Sequence, residues 1–192
     1  MNFDVFSLVK MSKRFGSEVE SISKTVLDNP DFSTWWGGLK GQHHDFTGGL
    51  ARHTREVVEL CFNSVETLGL DKIDDRELFL SVLFHDSGKM FDYKVSPMGD
   101  MIASEHKRII HHISRSALIW SHAVVKHDVF SKKYHDIVLH NILSHHGSRE
   151  WGSPVSPKTK VAWLLHLCDG ISARMDDCDR LDLVVNEKKS TR

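Results

Sequence analysis

Leu78-Phe79-Leu80-Ser81-Val82-Leu83-Phe84-His85-Asp86-Ser87-Gly88-Lys89 decides how this chain is read. A run of apolar residues this continuous marks a buried helix segment, and its end delivers an adjacent imidazole and carboxylate just before a Ser-Gly break. Two polar side chains at the end of an apolar helix are costly to bury unless something pairs with them, and a metal ion pairs with both. His-Asp also occurs at 44–45, 127–128 and 135–136. Only the pair at 85–86 follows a wholly apolar turn and precedes Gly-Lys; the pairs at 127 and 135 lie among Lys126, Lys132, Lys133 and Tyr134, a solvated setting.

Working outward, 192 residues with 40% hydrophobic content fit one domain with a real core, here 1–176 with an N-terminal amphipathic helix over 3–27, broken near Gly16 and packed on the rest. Residues 177–192 read as a charged C-terminal tail. No apolar run reaches the roughly 18–20 residues that cross a bilayer, and the start lacks the pattern of a signal peptide, so a soluble, cytoplasmic protein without a membrane partner is expected. Three cysteines, Cys61, Cys168 and Cys178, without CxxC spacing argue for reduced thiols rather than a disulfide or zinc knuckle. A formal net charge of −1 lacks the basic footprint of a protein that grips long nucleic acid by its phosphates. Histidine is the outlier, at 14 residues.

Those histidines fall at helix ends and on inward faces. From Leu50 the spacing of Leu50, His53, Thr54, Val57, Val58 and Cys61 is that of one helix face, so His53 points inward, either as a ligand or as a core histidine. The segment 90–101 lacks periodicity and reads as a loop. Ile102 to His127 reads as one helix with His112 at the edge of its apolar face. A further helix over 132–143 ends at Ser144-His145-His146-Gly147, with glycine as its C-cap. The last helix begins near Ser156-Pro157 and carries an apolar run up to Asp169. Upstream, Phe32, Trp35 and Trp36 beside Gly37-Gly38 either clamp the first helix or line a pocket. The assembled set is His53, His85, Asp86, His112, His145 or His146, and Asp169. Imidazole–carboxylate sets of this kind suit Mn, Fe, Zn, Co or Mg without distinguishing them, and a carboxylate bridges two ions where an imidazole does not.

With these residues in place, the chain resembles the HD-domain metal-dependent phosphohydrolases, and among them the catalytic half of the YhaM-type 3′-to-5′ exoribonucleases. The resemblance rests on His43-His44-x-Phe46-x-Gly48-Gly49-Leu50-x-x-His53-Thr54, on Leu83-Phe84-His85-Asp86-x-Gly88-Lys89, on Ile142-Leu143-Ser144-His145-His146-Gly147 with Gly152-Ser153-Pro154, and on Leu165-His166-x-x-Asp169. It implies an all-α HD-domain bundle with a buried centre of two divalent ions. His53, His85, Asp86 and Asp169 hold one; Asp86 bridges to the second, completed by His112 and either His145, which is preferred, or His146. It also implies a phosphohydrolase or phosphodiesterase acting through a metal-activated hydroxide on a nucleotide or the 3′ end of a short single-stranded nucleic acid, as monomer or oligomer. Lys89 is expected to hold substrate oxygens beside Asp86. His43, His44, Arg149 and Arg115 are candidates for substrate contact, with Arg174 a further phosphate group candidate. Those exoribonucleases carry an OB-fold domain ahead of the catalytic one, for which these residues leave no room. The alternatives are a di-iron oxygenase with the same ligand arrangement and a non-catalytic nucleotide-binding protein.

Overall fold

The computed structural model describes residues 2–128 and 130–190, and for 180–190 only the backbone. Its helices follow in the order α1 (Phe3–Arg14), α2 (Ser17–Leu27), α3 (Pro30–Thr34), α4 (Gly49–Thr67), α5 (Asp75–His85), α6 (Lys89–Asp92), α7 (Glu105–Ile109), α8 (His112–His127), α9 (Lys132–Ser144) and α10 (Lys160–Ser190). A two-stranded antiparallel hairpin, β1 (Tyr93–Val95) and β2 (Met101–Ala103), lies between α6 and α7, and a single 3-10 turn covers Arg149–Trp151. No helix among the described residues is long and apolar enough to cross a membrane.

Helix α5 is the axis of this bundle. Asp74 caps it by accepting from the Arg76 N–H, and every residue from Leu78 to His85 is buried. A helix that is apolar all round has to be covered on every side, and α2, α4, α8, α9 and α10 all pack on it. Phe84 meets Trp120 of α8 edge to face, with ring centroids 5.2 Å apart, and both are fully buried. The N-terminal pair α1 and α2 breaks at Gly16, where φ is +103°. Helix α1 packs on α4 and α2 on α5 and α8, burying Val5, Leu8, Val19, Ile22 and Val26 in the common core, and Arg55 of α4 holds Asp4 at 2.6 Å. Phe32 is buried and Trp35 packs against the same core, so these aromatics clamp the amino-terminal helices. Cys61 and Cys168 are buried and Cys178 is exposed, all three as free thiols.

Three segments differ from the sequence reading. The loop expected over 90–101 contains α6 and the hairpin, too short to show a period. The helix expected over 102–127 is interrupted: Ser104 caps α7 by accepting from the Lys107 N–H, His111 takes φ +67°, and α8 starts afresh at His112, whose backbone N–H donates to Asp92. The last helix starts at Lys160 rather than Pro157. Its backbone stays helical through Ser190 where a tail was expected; Thr191 and Arg192 lie outside the described residues. One glycine fixes the geometry beyond Asp86. A Cβ on Gly88 would run into the carbonyl of His112, and its N–H donates to Ser116 Oγ at 2.8 Å, so α8 lies directly against the turn that leaves α5.

Because Phe84 fills the space between α5 and α8 immediately before the ligand-bearing pair, Phe84→Ala is expected to lower the unfolding free energy by about 3–5 kcal/mol, read from urea denaturation at unchanged slope. A change within measurement error would contradict the packing of α5 described above.

Candidate metal centre

The end of α5 places Asp86 at the middle of the molecule, 2% exposed. His85 beside it in α5, three further imidazoles and a second carboxylate converge on it, the last four from four other helices. Toward Asp86 Oδ2 stand His53 Nε2 of α4 at 3.5 Å and His85 Nε2 at 3.4 Å, with Asp169 Oδ1 of α10 at 3.0 Å from His53 and 3.9 Å from His85. Toward the other oxygen, Oδ1, stand His112 Nε2 of α8 at 3.4 Å and His145 Nε2 at the end of α9 at 3.7 Å. His146 Nε2 lies 3.4 Å from His112 Nε2. The donor atoms form two clusters, His53–His85–Asp86–Asp169 and His112–His145–His146, each with its atoms within 4.8 Å of one another. One carboxylate thus turns one oxygen to each cluster.

The donors fit divalent cations. His53 Nε2, His85 Nε2, His145 Nε2 and Asp86 Oδ1 are all buried and make no hydrogen bond. Four such atoms around one point are a heavy cost unless a cation completes them. The opposite ring nitrogens are committed. His85 Nδ1–H donates to Val82 O at 2.6 Å and His145 Nδ1–H to Ile142 O at 2.7 Å, each back to a carbonyl of its own last helical turn. His146 Nδ1–H donates to Trp151 O at 2.8 Å. His112 Nδ1–H faces Asp92 Oδ2 at 3.2 Å. His53 Nδ1–H meets Ser172 Oγ at 3.0 Å, and Ser172 donates onward to Glu56 Oε2 at 2.9 Å. Each arrangement leaves the lone pair on Nε2, aimed at the centre.

The ionisation states of His53, His112 and His146 agree with that role; His85 is the exception. Burial lowers His53 despite Asp169 beside it, takes His112 down to about 3 and His146 to about 4, so these rings are neutral as ligands must be. Burial alone would raise the Asp86 carboxyl, but Lys89 and His85 hold it well below the usual carboxylate range; His53 does the same for Asp169. His85 is raised, burial being outweighed by the Asp86 charge.

Lys89, buried, places Nζ 2.7 Å from Asp86 Oδ2 and lines a cleft of about 440 Å³ beside the centre. Gln42, His43, Tyr93, Lys107, His111, His112, His146 and Arg174 share its walls. The other substrate candidates are dispersed. His44 is buried away from the cleft: its Nε2–H donates to Glu56 at 3.0 Å and its backbone N–H to Asp176 at 2.7 Å, which orders the loop. Arg149 is exposed on the 3-10 turn. Arg115 stands outside the cleft, with its guanidinium 4.9 Å from the Phe91 ring, and donates to His106 Nε2 at 2.9 Å. His106 in turn faces Asp92 Oδ1 at 3.0 Å, so Arg115 is connected to His112 through His106 and Asp92 and is not among the residues of the cleft wall.

Asp92, Ser172, Lys107 and Tyr93 were not singled out by the sequence reading. Ser172 had a signal, three residues after Asp169 on the same helix face. Asp92 had a weaker one, three residues after Lys89. Lys107 and Tyr93 had none, because the hairpin and α7 bring them together, with Lys107 Nζ 3.3 Å from the Tyr93 hydroxyl.

The HD domain family model matches residues 50–174. The 3′-5′ exoribonuclease YhaM of Bacillus subtilis (strain 168) is 34% identical over 138 residues, 72% of this chain and 42% of the relative. That of Bacillus licheniformis is 34% identical over 162 residues, 84% of this chain and 48% of the relative. That of Geobacillus sp. (strain WCH70) is 33% identical over 147 residues, 72% of this chain and 41% of the relative. The chain therefore spans less than half the length of these relatives. No solved structure matches the chain.

Two outcomes follow from this geometry. Asp92→Ala is expected to weaken divalent-metal affinity about 10–100-fold by titration calorimetry, because His112 loses the partner of its Nδ1–H; unchanged affinity would mean that Asp92 orients nothing. The second concerns acid stability. Burial pushes Glu56 up, but hydrogen bonds from His44, Arg52 and Ser172 outweigh it and hold the carboxyl at about 2, below its ordinary 4.5. Its contribution is therefore full above pH 4.5 and lost as pH falls toward 2. Glu56→Gln should cost stability at pH 6 and cost progressively less between pH 4.5 and 2, measured as the difference in urea midpoint; a difference independent of pH would exclude the ionised carboxylate as its source.

Proposed function

Because the chain belongs to the HD-domain family of metal-dependent phosphohydrolases, with every member of the Asp86 clusters inside the matched region, we propose that it hydrolyses a phosphoester of a nucleotide or of the 3′ end of a short single-stranded nucleic acid. The observation that carries this reading is the set of buried, unpaired ring nitrogens and one carboxylate oxygen around Asp86. His53, His85, Asp86 and Asp169 would hold one ion, and His112, His145 and His146 with Asp86 a second. Divalent ions there supply acidification of a water molecule and neutralisation of phosphoryl charge.

The chain's own groups account for the rest. Lys89, Lys107 and Arg174 bring positive charge to the cleft walls, where phosphate oxygens are held by charge-assisted hydrogen bonds. His43 lines the same cleft, and burial, followed by Lys89 and His53, pushes it down to about 2. Bound cations push it further, so it serves as a neutral hydrogen-bonding group toward sugar or base and not as the proton donor to a leaving group. The nuclease activity named for the YhaM relatives supports a nucleic-acid substrate.

The test is turnover of single-stranded RNA, single-stranded DNA and a panel of mononucleotides with Mn, Mg, Co, Zn or Fe(II) added in turn. Stepwise release of mononucleotides, or of phosphate from free nucleotides, is expected, and Asp86→Ala should reduce it by more than about a hundredfold. Equal activity in Asp86→Ala, or no hydrolysis of any of these substrates with any of the metals, would overturn the reading.

A further inference from the structure

Three aromatic rings stand beside the second cluster without taking part in it. Trp151, on the 3-10 turn, is 66% exposed, and Trp163, on the first turn of α10, is 50% exposed. His166 lies between them, its ring 6.0 Å from each indole. Hydrogen bonds fasten this group to the centre. Trp151 O accepts from His146 Nδ1, and His166 Nδ1–H donates to His145 O at 2.9 Å. Gly147, at φ +83°, lets the chain pass directly against the His166 ring, because a Cβ there would stand 2.5 Å from it. The backbone of Trp151 and the His166 ring are thus held in a fixed relation to His146 and His145.

Core packing does not account for two indoles left in water, and their charged neighbours indicate what covers them. Arg149 lies two residues before Trp151. Lys160 lies three before Trp163, one turn back on the same helix face, and both cations are exposed. Glu150 is the only acid on the 3-10 turn, and it accepts from Ser148 Oγ at 3.3 Å. Flat π surfaces flanked by cations match a strand that offers nucleobases and phosphates alternately. The cleft itself has one Phe, Tyr or Trp ring, Tyr93, which is buried, beside the imidazoles of His43, His111, His112 and His146. Its walls hold no indole.

We propose that Trp151, His166 and Trp163 form a stacking platform that holds nucleobases of a single-stranded nucleic acid while its terminal phosphoester sits at the Asp86 clusters. This rests on the phosphohydrolase reading and deepens it: the platform favours an oligonucleotide over a free nucleotide and tolerates any base, since every base has a π face.

Fluorescence anisotropy of a labelled single-stranded decamer with hydrolysis-resistant phosphorothioate linkages, on the protein with divalent metal present, tests the platform without turnover, alongside an abasic decamer with the same linkages. Trp151→Ala is expected to weaken binding of the base-bearing strand about tenfold. The abasic strand should lose far less, and Trp151→Phe, which keeps a ring, should retain most of the affinity. Trp163→Ala is an independent second variant with the same expected pattern. Equal losses on both strands, no loss on either, or no binding of the decamer by the wild type would overturn the platform, the second outcome pointing to a protein partner for the exposed indoles. Hydrolysis of mononucleotides is read separately, so the platform can fail while the hydrolase reading stands, and strand binding without hydrolysis would show the reverse.

Discussion

A carboxylate buried at the centre of a helical bundle is the constraint on which the rest of this structure depends. Asp86 is ionised and surrounded by imidazole edges, and the effective penalty for removing such a charge from water is several kcal/mol. Lys89 Nζ at 2.7 Å offsets part of it through one oxygen. The other oxygen, Oδ1, has no hydrogen bond, and neither do three of the ring nitrogens around the carboxylate. An all-protein solution to this arrangement would have added donors. What is built instead is a set of acceptors facing inward, which is stable only around cations.

How the acceptors are kept facing inward explains several otherwise unrelated features. The last carbonyls of a helix have no partner within the helix. His85 and His145 each turn Nδ1–H back onto such a carbonyl, of Val82 and Ile142, at the ends of α5 and α9. One hydrogen bond thereby satisfies the helix end and fixes the ring tautomer. His112 begins a helix and has no such carbonyl available, so α6 supplies Asp92, which takes both its backbone N–H and its Nδ1–H. His53 lies within the first turns of α4 and is served across the bundle by Ser172 and Glu56. Glu56 also holds His44, so the histidine-rich loop and the His53 ring are tied to the same carboxylate.

The sequence made α5 and its His-Asp end legible because burial on all sides leaves an unbroken apolar run, which needs no knowledge of neighbours. His53 and Asp169 were legible from helical periodicity, and the break at Gly16 from the glycine itself. The sites that were not legible depend on contacts between elements distant in sequence. The interruption at His111 comes from Asp92 capturing the His112 N–H across a hairpin, which no local pattern encodes. Arg115 looked like a free cation near the ligand histidines, yet α8 turns it onto His106 and Phe91. The choice between His145 and His146 could not be made from spacing, and the structure shows why: adjacent residues at the end of α9 both reach the second cluster, one anchored by its own helix and the other by Trp151.

The ligand-bearing helices and the surfaces around them play separable roles. Helices α4, α5, α8, α9 and α10 carry every member of the two clusters or the turn that follows, and their packing on α5 allows little variation. The cleft walls are made by different pieces: the loop before α4, the α6–hairpin–α7 segment with Tyr93 and Lys107, and Arg174 farther along α10. Segments of this kind, carried on a rigid scaffold, are where substrate preference is generally set. Asp92 is where the two roles meet, since it lies in a wall segment yet orients a ligand of the second cluster. A change in the hairpin that moved Asp92 would alter the geometry of that cluster as well as the shape of the cleft, so the two are physically coupled in this chain.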